Sequence, residues 1–470
     1  MVFNSLQFYL FFIVVTLLYF QLAHKFRWAL LLLASCYFYM VFKPSYILIL
    51  FVTIIVDYLA GIAIEKTDGT KRKLILILSI ISNIGFLAYF KYANFMLENL
   101  NRIFQGSSDF SKLDIILPIG LSFHTFQALS YTIEVYRKNY PAEHHFGKYA
   151  LYVMFYPQLV AGPIERPQNV LWQFSQPKFI DWLNIKQGLL RMCWGFFKKI
   201  VIADRLSIWV DSAFDFPESQ NGLSMLLAAF AFSFEIYCDF SGYSDIALGA
   251  AKVMGFDLME NFNQPYFSKS ISEFWRKWHI SLSTWFRDYL YIPLGGNRGS
   301  KLKNYQNLLI VFTLSGLWHG AKWTFIIWGI IHGMMLVFAQ IFDSITPKID
   351  LKSPKLPFLS TFKSCFSILI TFVLVSFTWI FFRANGLSNA LSVINKISQI
   401  NISDKILSPF NIVELGFCLF LIIFLLGVES KFRFNEAISW KKFGFLSSVL
   451  VLSTYFFGVF IKAQFIYFQF

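Results

Sequence analysis

Hydrophobic residues are gathered into blocks along the whole chain, and short polar stretches separate these blocks. A helix needs roughly 20 apolar residues to cross the hydrocarbon core of a bilayer, which is about 30 Å thick. The pattern therefore predicts an all-α integral membrane protein with about ten to twelve transmembrane helices, the shorter blocks being re-entrant or tilted. The blocks cover approximately residues 5–23, 27–42, 44–64, 73–90, 113–135, 147–162, 222–238, 305–318, 323–342, 362–382, 411–428 and 444–461.

The composition agrees with a membrane protein. Of the 470 residues, 56% are hydrophobic and 14% are charged, whereas a soluble domain carries about 25% charged residues. The net charge of +14 does not indicate a nucleic-acid partner, because the basic residues lie in short loops between the apolar blocks. If the basic loops Lys66–Lys73 and Lys431–Lys442 face the cytoplasm, both termini are extracytoplasmic. The expected binding partner of the apolar helices is membrane lipid.

The cysteines indicate apolar packing. No two of them form a CxxC pair, and most lie inside apolar runs. We therefore expect no structural metal and no disulfide. We also expect no permanently bound cofactor. The five positions are Cys36, Cys193, Cys238, Cys365 and Cys418.

Polar residues concentrate in the middle of the chain. We expect a single domain over residues 1–470, with scaffold helices in 1–110, a catalytic core in 111–340, and C-terminal helices with an aromatic tail in 341–470. The core holds Gly and Pro breaks, and broken backbone at membrane depth is tolerated only inside protein or beside a wet cavity. The breaks lie at Pro118–Gly120, Ala161–Pro163 and Pro293–Gly296.

His319 lies at the junction of two hydrophobic blocks, between Gly316 and Gly320. An imidazole suits proton transfer near neutral pH, and small neighbours would let a ligand approach closely. A structural role is the alternative for a lone histidine in an apolar segment. His332 follows 13 residues later, roughly 220° around a continuous helix, so we expect it on another face and outside the site.

The segment Phe274–Ser281 alternates Trp with cationic residues, as interfacial helices do. One interpretation is a cytoplasmic anchor. The other is that His279 faces inward and that Arg276 and Lys277 bind an anionic donor, such as the phosphates of coenzyme A.

Glu235 and Asp239 are four residues apart in an apolar helix and share one face. They could couple ions in a transporter. We favour pairing with buried Lys or Arg, which would hold helices together.

Several strings, in this order along the chain, resemble the membrane-bound O-acyltransferase family, in particular its bacterial branch of alginate O-acetyltransferases and D-alanyl transfer proteins. Together they cover a little under half of the chain. The strings are Leu117–Phe126, Gln158–Ile164, Tyr237–Asp245, Asn261–Phe267, Phe274–Ser283, Asp288–Asn297 and Leu317–Gly320.

The resemblance implies that His319 is the family's near-invariant catalytic histidine and that His279 is its second one. It also implies a helical bundle around a central funnel in a bacterial inner membrane, with His319 near the funnel floor. An acyl group would come from a cytoplasmic donor, acetyl-CoA or another acyl thioester. A separate extracytoplasmic acyltransferase would deliver it to the polysaccharide acceptor system.

The C-terminus, Phe465–Phe470, is an aromatic hexapeptide after the last helix. It could be an aromatic belt at the interface. It also resembles a tail motif of this branch, which implies that Tyr467 transiently carries the acyl group. A phenol, with a pKa of about 10, gives up its proton to a histidine more readily than an aliphatic hydroxyl does.

Three functions remain at this stage. The first is O-acylation of an extracytoplasmic polysaccharide, such as alginate or another cell-envelope polymer, with acetyl preferred to D-alanyl as the group. The second is a transporter or flippase, against which the sequence shows no inverted repeat of broken helices. The third is a scaffold that only docks a periplasmic transferase.

Overall fold

The computed structural model describes residues 1–104, 111–160, 162–345, 357–401, 403–432, 434, 436–460 and 465–466. All regular secondary structure in these ranges is helical. The α-helices are α1 Leu6–Gln21, α2 His24–Met40, α3 Tyr46–Glu65, α4 Gly69–Leu87, α5 Ala93–Ile103, α6 Leu121–Tyr136, α7 Phe146–Met154, α8 Tyr156–Leu159, α9 Pro167–Val170, α10 Trp182–Phe196, α11 Asp204–Asp215, α12 Gly222–Val253, α13 Ile271–Lys277, α14 Ile280–Phe286, α15 Lys301–His319, α16 Trp323–Ile345, α17 Pro357–Arg383, α18 Leu387–Ser398, α19 Ile412–Lys431 and α20 Trp440–Phe457.

The predicted all-α membrane class is confirmed. Within the described ranges, six helical stretches are long and apolar enough to cross a membrane. Other predicted crossings fall on shorter helices, such as the apolar α1. The six stretches are Tyr46–Glu65, Gly69–Ile103, Gly222–Val253, Trp323–Ile345, Thr361–Arg383 and Ile412–Lys431.

Two of the three predicted breaks contain glycines with a left-handed backbone conformation. Gly120, just before α6, has φ of 76°, and Gly295 and Gly296 have φ of 107° and 56°. Glycine reaches this region without the steric cost that a Cβ atom brings. These residues therefore interrupt the helical backbone at the positions that the sequence indicated.

The chain forms two compact units that alternate along the sequence. The first unit comprises Met1–Phe196, Gly242–Met259 and Phe434–Leu452. The second comprises Phe197–Ser241, Glu260–Arg433 and Ser453–Phe470. The predicted division at residues 110 and 340 stays a prediction, because the boundaries of the two compact units lie elsewhere in the sequence.

In the first unit, a buried carboxylate joins two neighbouring helices. Asp57 on α3 accepts hydrogen bonds from Ser79 Oγ at 2.6 Å and from Asn83 Nδ2 at 2.8 Å, both on α4. A buried polar group is tolerated when it is hydrogen-bonded in this way.

In the second unit, helices α15 and α16 form a closely packed hairpin. A Cβ atom on Gly316 would collide with the carbonyl oxygen of Phe325, and one on Gly329 would collide with that of Phe312. A Cβ atom on Gly320 would collide with the ring of Phe325. The interpretation that glycines beside His319 admit a ligand is therefore wrong, because they let the two helix backbones approach each other.

Candidate active site

His319 is the last residue of α15. The helix begins after Ser300, whose hydroxyl oxygen accepts the Lys303 N–H at 3.2 Å, and it ends at the break before α16. The His319 side chain is buried and lies among aromatic rings. Its ring centroid is 5.0 Å from that of Trp318, 5.1 Å from Trp328 and 5.4 Å from Phe382. These rings fix the imidazole orientation by packing.

His279 occupies the turn between α13 and α14. Its φ of 43° is left-handed, which is uncommon for a residue other than glycine and persists only when the surroundings hold it. Asn261 holds this turn. Its carbonyl oxygen accepts the Ile280 N–H at 2.9 Å, and its side-chain oxygen accepts the Ser281 hydroxyl at 2.9 Å. His279 itself is completely buried, as the inward-facing interpretation predicted.

The two histidines lie side by side. Their ring centroids are 6.3 Å apart, with an angle of 53° between the ring planes. The fold thus brings together two imidazole rings whose residues are 40 positions apart in the sequence. At this separation both rings can contact one reacting group, for example a carbonyl and the hydroxyl that attacks it.

Burial lowers the pKa of His279 from 6.5 to about 3. The desolvated imidazole is therefore neutral at physiological pH, since the charged form is the one that burial disfavours. A neutral imidazole keeps one ring nitrogen as a hydrogen-bond acceptor and the other as a donor. It can accept a proton without a permanent charge being buried in the protein.

The C-terminal tail comes close to this pair. The Phe240 ring lies edge-on to His279, with centroids 4.7 Å apart, and the Phe465 ring lies 5.7 Å from Phe240. The Ile466 N–H donates a hydrogen bond to Asp239 Oδ2 at 2.8 Å. Tyr467 and Phe470 lie outside the described residues, and the described chain ends one residue before Tyr467.

The predicted donor-binding cations lie at the end of α13, shortly before His279. Arg276 is exposed, and Lys277 forms an ion pair with Glu273 at 2.7 Å one helical turn earlier. Such a partly exposed pair contributes little stability, so an incoming phosphate could replace the carboxylate. A donor-binding role for both cations stays a prediction.

The two acids on α12 differ in their surroundings. Asp239 Oδ1 pairs with Lys199 Nζ at 2.6 Å, so the predicted pairing with a buried cation is confirmed for this residue. Glu235 is also buried, but its Oε2 has no hydrogen-bond partner in the part of the chain that the structure describes. The prediction of paired acids thus holds for one of the two.

His332 has a structural role. Its Nδ1 accepts a hydrogen bond from Trp275 Nε1 at 3.2 Å, which leaves the proton on Nε2, 2.9 Å from Thr378 Oγ1. The expectation that it lies outside the site agrees with these bonds. The two histidines do not share a continuous helix, contrary to the prediction, because the chain breaks between His319 and Trp323.

Sequence reasoning missed the residues that hold the histidine pair. Asn261 fixes the His279 turn, and Phe240 links His279 to the tail. Asn261 opens one of the strings that carry the family resemblance, which was the available signal. Phe240 also lies in one of these strings, Tyr237–Asp245, but nothing in the sequence indicated its contact with the tail. Among the described residues, no three His, Cys, Asp or Glu side chains are placed to hold a metal ion.

Fold and site define a class: a multi-pass helical membrane protein with two buried imidazoles set against each other. The family model described as "MBOAT, membrane-bound O-acyltransferase family" matches residues 69–381. The chain belongs to the membrane-bound O-acyltransferase family and is an O-acyltransferase.

Three relatives illustrate the similarity. The protein named "Probable alginate O-acetylase AlgI" of Pseudomonas aeruginosa is 42% identical over 399 residues, covering 83% of this chain and 73% of the relative. The peptidoglycan O-acetyltransferase of Helicobacter pylori is 35% identical over 491 residues, covering 94% and 91%. The teichoic acid D-alanyltransferase of Streptococcus thermophilus is 33% identical over 232 residues, covering 47% and 56%. These similarities support O-acylation of a polysaccharide.

Proposed function

We propose that this chain moves an acetyl group from a cytoplasmic thioester, acetyl-CoA, across a bacterial inner membrane for O-acetylation of an extracytoplasmic polysaccharide. The observation that carries the proposal is the buried pair His279–His319 with the C-terminal tail anchored beside it. A thioester is already activated, so the reaction requires only proton transfer and positioning.

The tail supplies the first acceptor. His319 takes the proton from the Tyr467 hydroxyl, and the phenolate oxygen attacks the thioester carbonyl carbon. A C–O bond forms, the C–S bond breaks, and the thiol leaves with the proton from His319. His279 contributes on the donor side, with Arg276 and Lys277 near the entry for the coenzyme A phosphates. The tyrosyl ester then passes its acetyl group to an extracytoplasmic acyltransferase that modifies the polymer.

A count of membrane crossings along the second unit supports this direction of transfer. If the basic stretch after Lys431 is cytoplasmic, the first residue of α19 lies on the outer side. The last residue of α17 and the first residue of α16 then also lie on the outer side. The junction after His319 is then on the outer side. The cationic stretch from Arg287 to Lys303 is on the inner side. A histidine pair between these two sides suits transfer through the membrane. If the basic loop Lys66–Lys73 is cytoplasmic as well, both termini are extracytoplasmic.

Acetyl is favoured over D-alanyl by the extent of similarity. The relatives named as acetylating enzymes cover 83% and 94% of this chain, whereas the D-alanyltransferase covers 47%. Alginate and peptidoglycan are the acceptors in the names of the first two, and a polymer of this kind is the proposed acceptor. The similarity to O-acetyltransferases favours an enzyme over the transporter and scaffold alternatives.

Tyr467→Phe tests the tail as carrier. The variant keeps the ring and removes the nucleophilic oxygen, so polymer acetylation should fall to background while the protein level in membranes stays the same. Wild-type membranes given labelled acetyl-CoA should carry the label as an ester on the C-terminal peptide. Near-normal polymer acetylation in Tyr467→Phe would refute the carrier role and leave the histidine chemistry in place.

A further inference from the structure

Asp239 uses its two carboxylate oxygens for two different partners. It is buried in the middle of α12, and Oδ1 lies 2.6 Å from Lys199 Nζ. Oδ2 accepts the backbone N–H of Ile466 at 2.8 Å. This buried bond joins residues 227 positions apart and attaches the C-terminal tail to the helix.

The charge on Asp239 is part of a buried cluster. Lys199, in the π-helical segment Phe197–Ala203, also pairs with Asp204 at 2.7 Å, and the three side chains are almost completely buried. Two carboxyl groups therefore lie against one ammonium group. Buried ions are stable only when additional hydrogen bonds satisfy their remaining lone pairs. The tail N–H provides such a bond, and a bond to an ionised acceptor is stronger than a neutral one.

The same part of the fold holds the chain leading to the tail. Arg205 Nη2 donates to the Phe457 carbonyl oxygen at 2.8 Å, and the Val459 N–H donates to the Ile200 carbonyl oxygen at 3.0 Å. These bonds involve the chain just before and just after Ala203. The tail is therefore fixed on both sides of residues 461–464, which lie outside the described residues.

The anchored tail lies one ring away from the histidine pair. Phe465 is fully buried, and its ring contacts Phe240, which in turn contacts His279. Asp239 and Phe240 are adjacent on α12. The same turn of this helix therefore binds the backbone of Ile466 and contacts the side chain of Phe465.

We propose that Asp239, held by Lys199 and Asp204, is a positioning residue that docks Phe465 and Ile466 of the C-terminal tail beside Phe240 and the histidine pair. This inference rests on the proposed function, since it explains how the carrier is placed. A buried ion pair that only joined helices would not affect the tail.

Docking is measured at Ile466→Cys in a chain whose five native cysteines are replaced by serine. The hydrogen bond uses the backbone, so this change preserves it. Labelling by a water-soluble maleimide should be slow, because position 466 is buried. Adding Asp239→Leu should speed labelling about tenfold or more, as expected for the loss of a hydrogen bond to a charged group. Glu235→Gln, on the same helix four residues away, is the matched control and should label at the parent rate.

The proposal is overturned if the Asp239→Leu chain, folded and monodisperse in detergent, labels as slowly as the parent. If that variant does not fold, Asp239→Asn replaces it. Asn keeps the size and a neutral acceptor, so labelling should be a few-fold faster, and parent-like protection would overturn the proposal.

A second measurement separates positioning from a general structural defect. Loss of docking should lower kcat for acetyl transfer and leave the KM for acetyl-CoA unchanged, because the tail does not bind the donor. A raised KM with unchanged kcat would contradict the assignment. Labelling at position 466 requires no donor, so its outcome is independent of Tyr467→Phe. Docking without a tyrosyl ester would refute the carrier role and leave the anchor in place.

Discussion

His279 combines two unusual properties at the scale of a single residue. It holds a left-handed backbone conformation, and its complete burial lowers the pKa of its imidazole. Asn261 stabilises this backbone conformation through its hydrogen bonds to Ile280 and Ser281, the two residues that follow His279. The result is an imidazole with a fixed position and a fixed, neutral charge state. These are the requirements for a group that accepts or relays a proton during acyl transfer.

The lowered pKa of His279 predicts a specific dependence of stability on pH. Its folded-state pKa of about 3 lies below the unfolded value of 6.5, so the unfolded chain binds the proton first as the pH falls. The stability linked to the neutral ring is complete above pH 6.5 and is lost as the pH falls toward 3. His279→Asn tolerates the left-handed turn and removes this titration.

Thermal unfolding in detergent measures the effect. Between about pH 7 and pH 4.5, the unfolding temperature of the wild type should fall further than that of His279→Asn. Parallel curves for the two proteins would show that folding does not lower the pKa of His279.

At the scale of helices, the α15–α16 hairpin depends on glycine. Gly316→Ala should destabilise the protein by about 1–3 kcal/mol, because the new methyl group collides with the Phe325 backbone. Gly416→Ala is the matched control on α19, where nothing lies within 4 Å of the added atom. It should be neutral or stabilise by roughly 0.5–1 kcal/mol through helix propensity. Equal unfolding temperatures for the two variants would contradict the packing assigned to the hairpin.

Hydrophobic blocks predicted several helices closely. The block at 44–64 corresponds to Tyr46–Glu65, and the block at 411–428 corresponds to Ile412–Lys431. The block at 222–238 ended too early, since α12 continues to Val253. Polar residues such as Asp239 end a hydrophobic run, but they stay helical inside the protein when a partner such as Lys199 satisfies them.

The hydrophobic pattern did not predict the short helices of the site. α13 and α14 have seven residues each. His279 separates them through a left-handed backbone conformation that no residue pattern predicts. The break between His319 and Trp323 was also missed when the histidines were compared on one helix. Periodicity describes the inside of a long helix, whereas its ends depend on tertiary contacts.

At the scale of the whole molecule, the site arises from contacts that are distant in sequence. The family resemblance predicted His279 and His319 as individual residues, and the structure brings their rings together. It did not predict Asp239 as the partner of Ile466. That contact uses a backbone N–H, which every residue except proline has, so the residue type at position 466 does not predict it.

The central claim is that the histidine pair performs acyl transfer to the tail. It is tested most directly by giving labelled acetyl-CoA to membranes and measuring the tyrosyl ester on the C-terminal peptide. His319→Ala should lower the rate of ester formation by about 10²–10⁴-fold, the usual contribution of a general base. His332→Ala is the matched control, because it removes an equally buried histidine whose two nitrogens are hydrogen-bonded within the fold. Per folded molecule, His332→Ala should form the ester at the wild-type rate. Ester formation in folded His319→Ala above about a tenth of the wild-type rate would contradict the account.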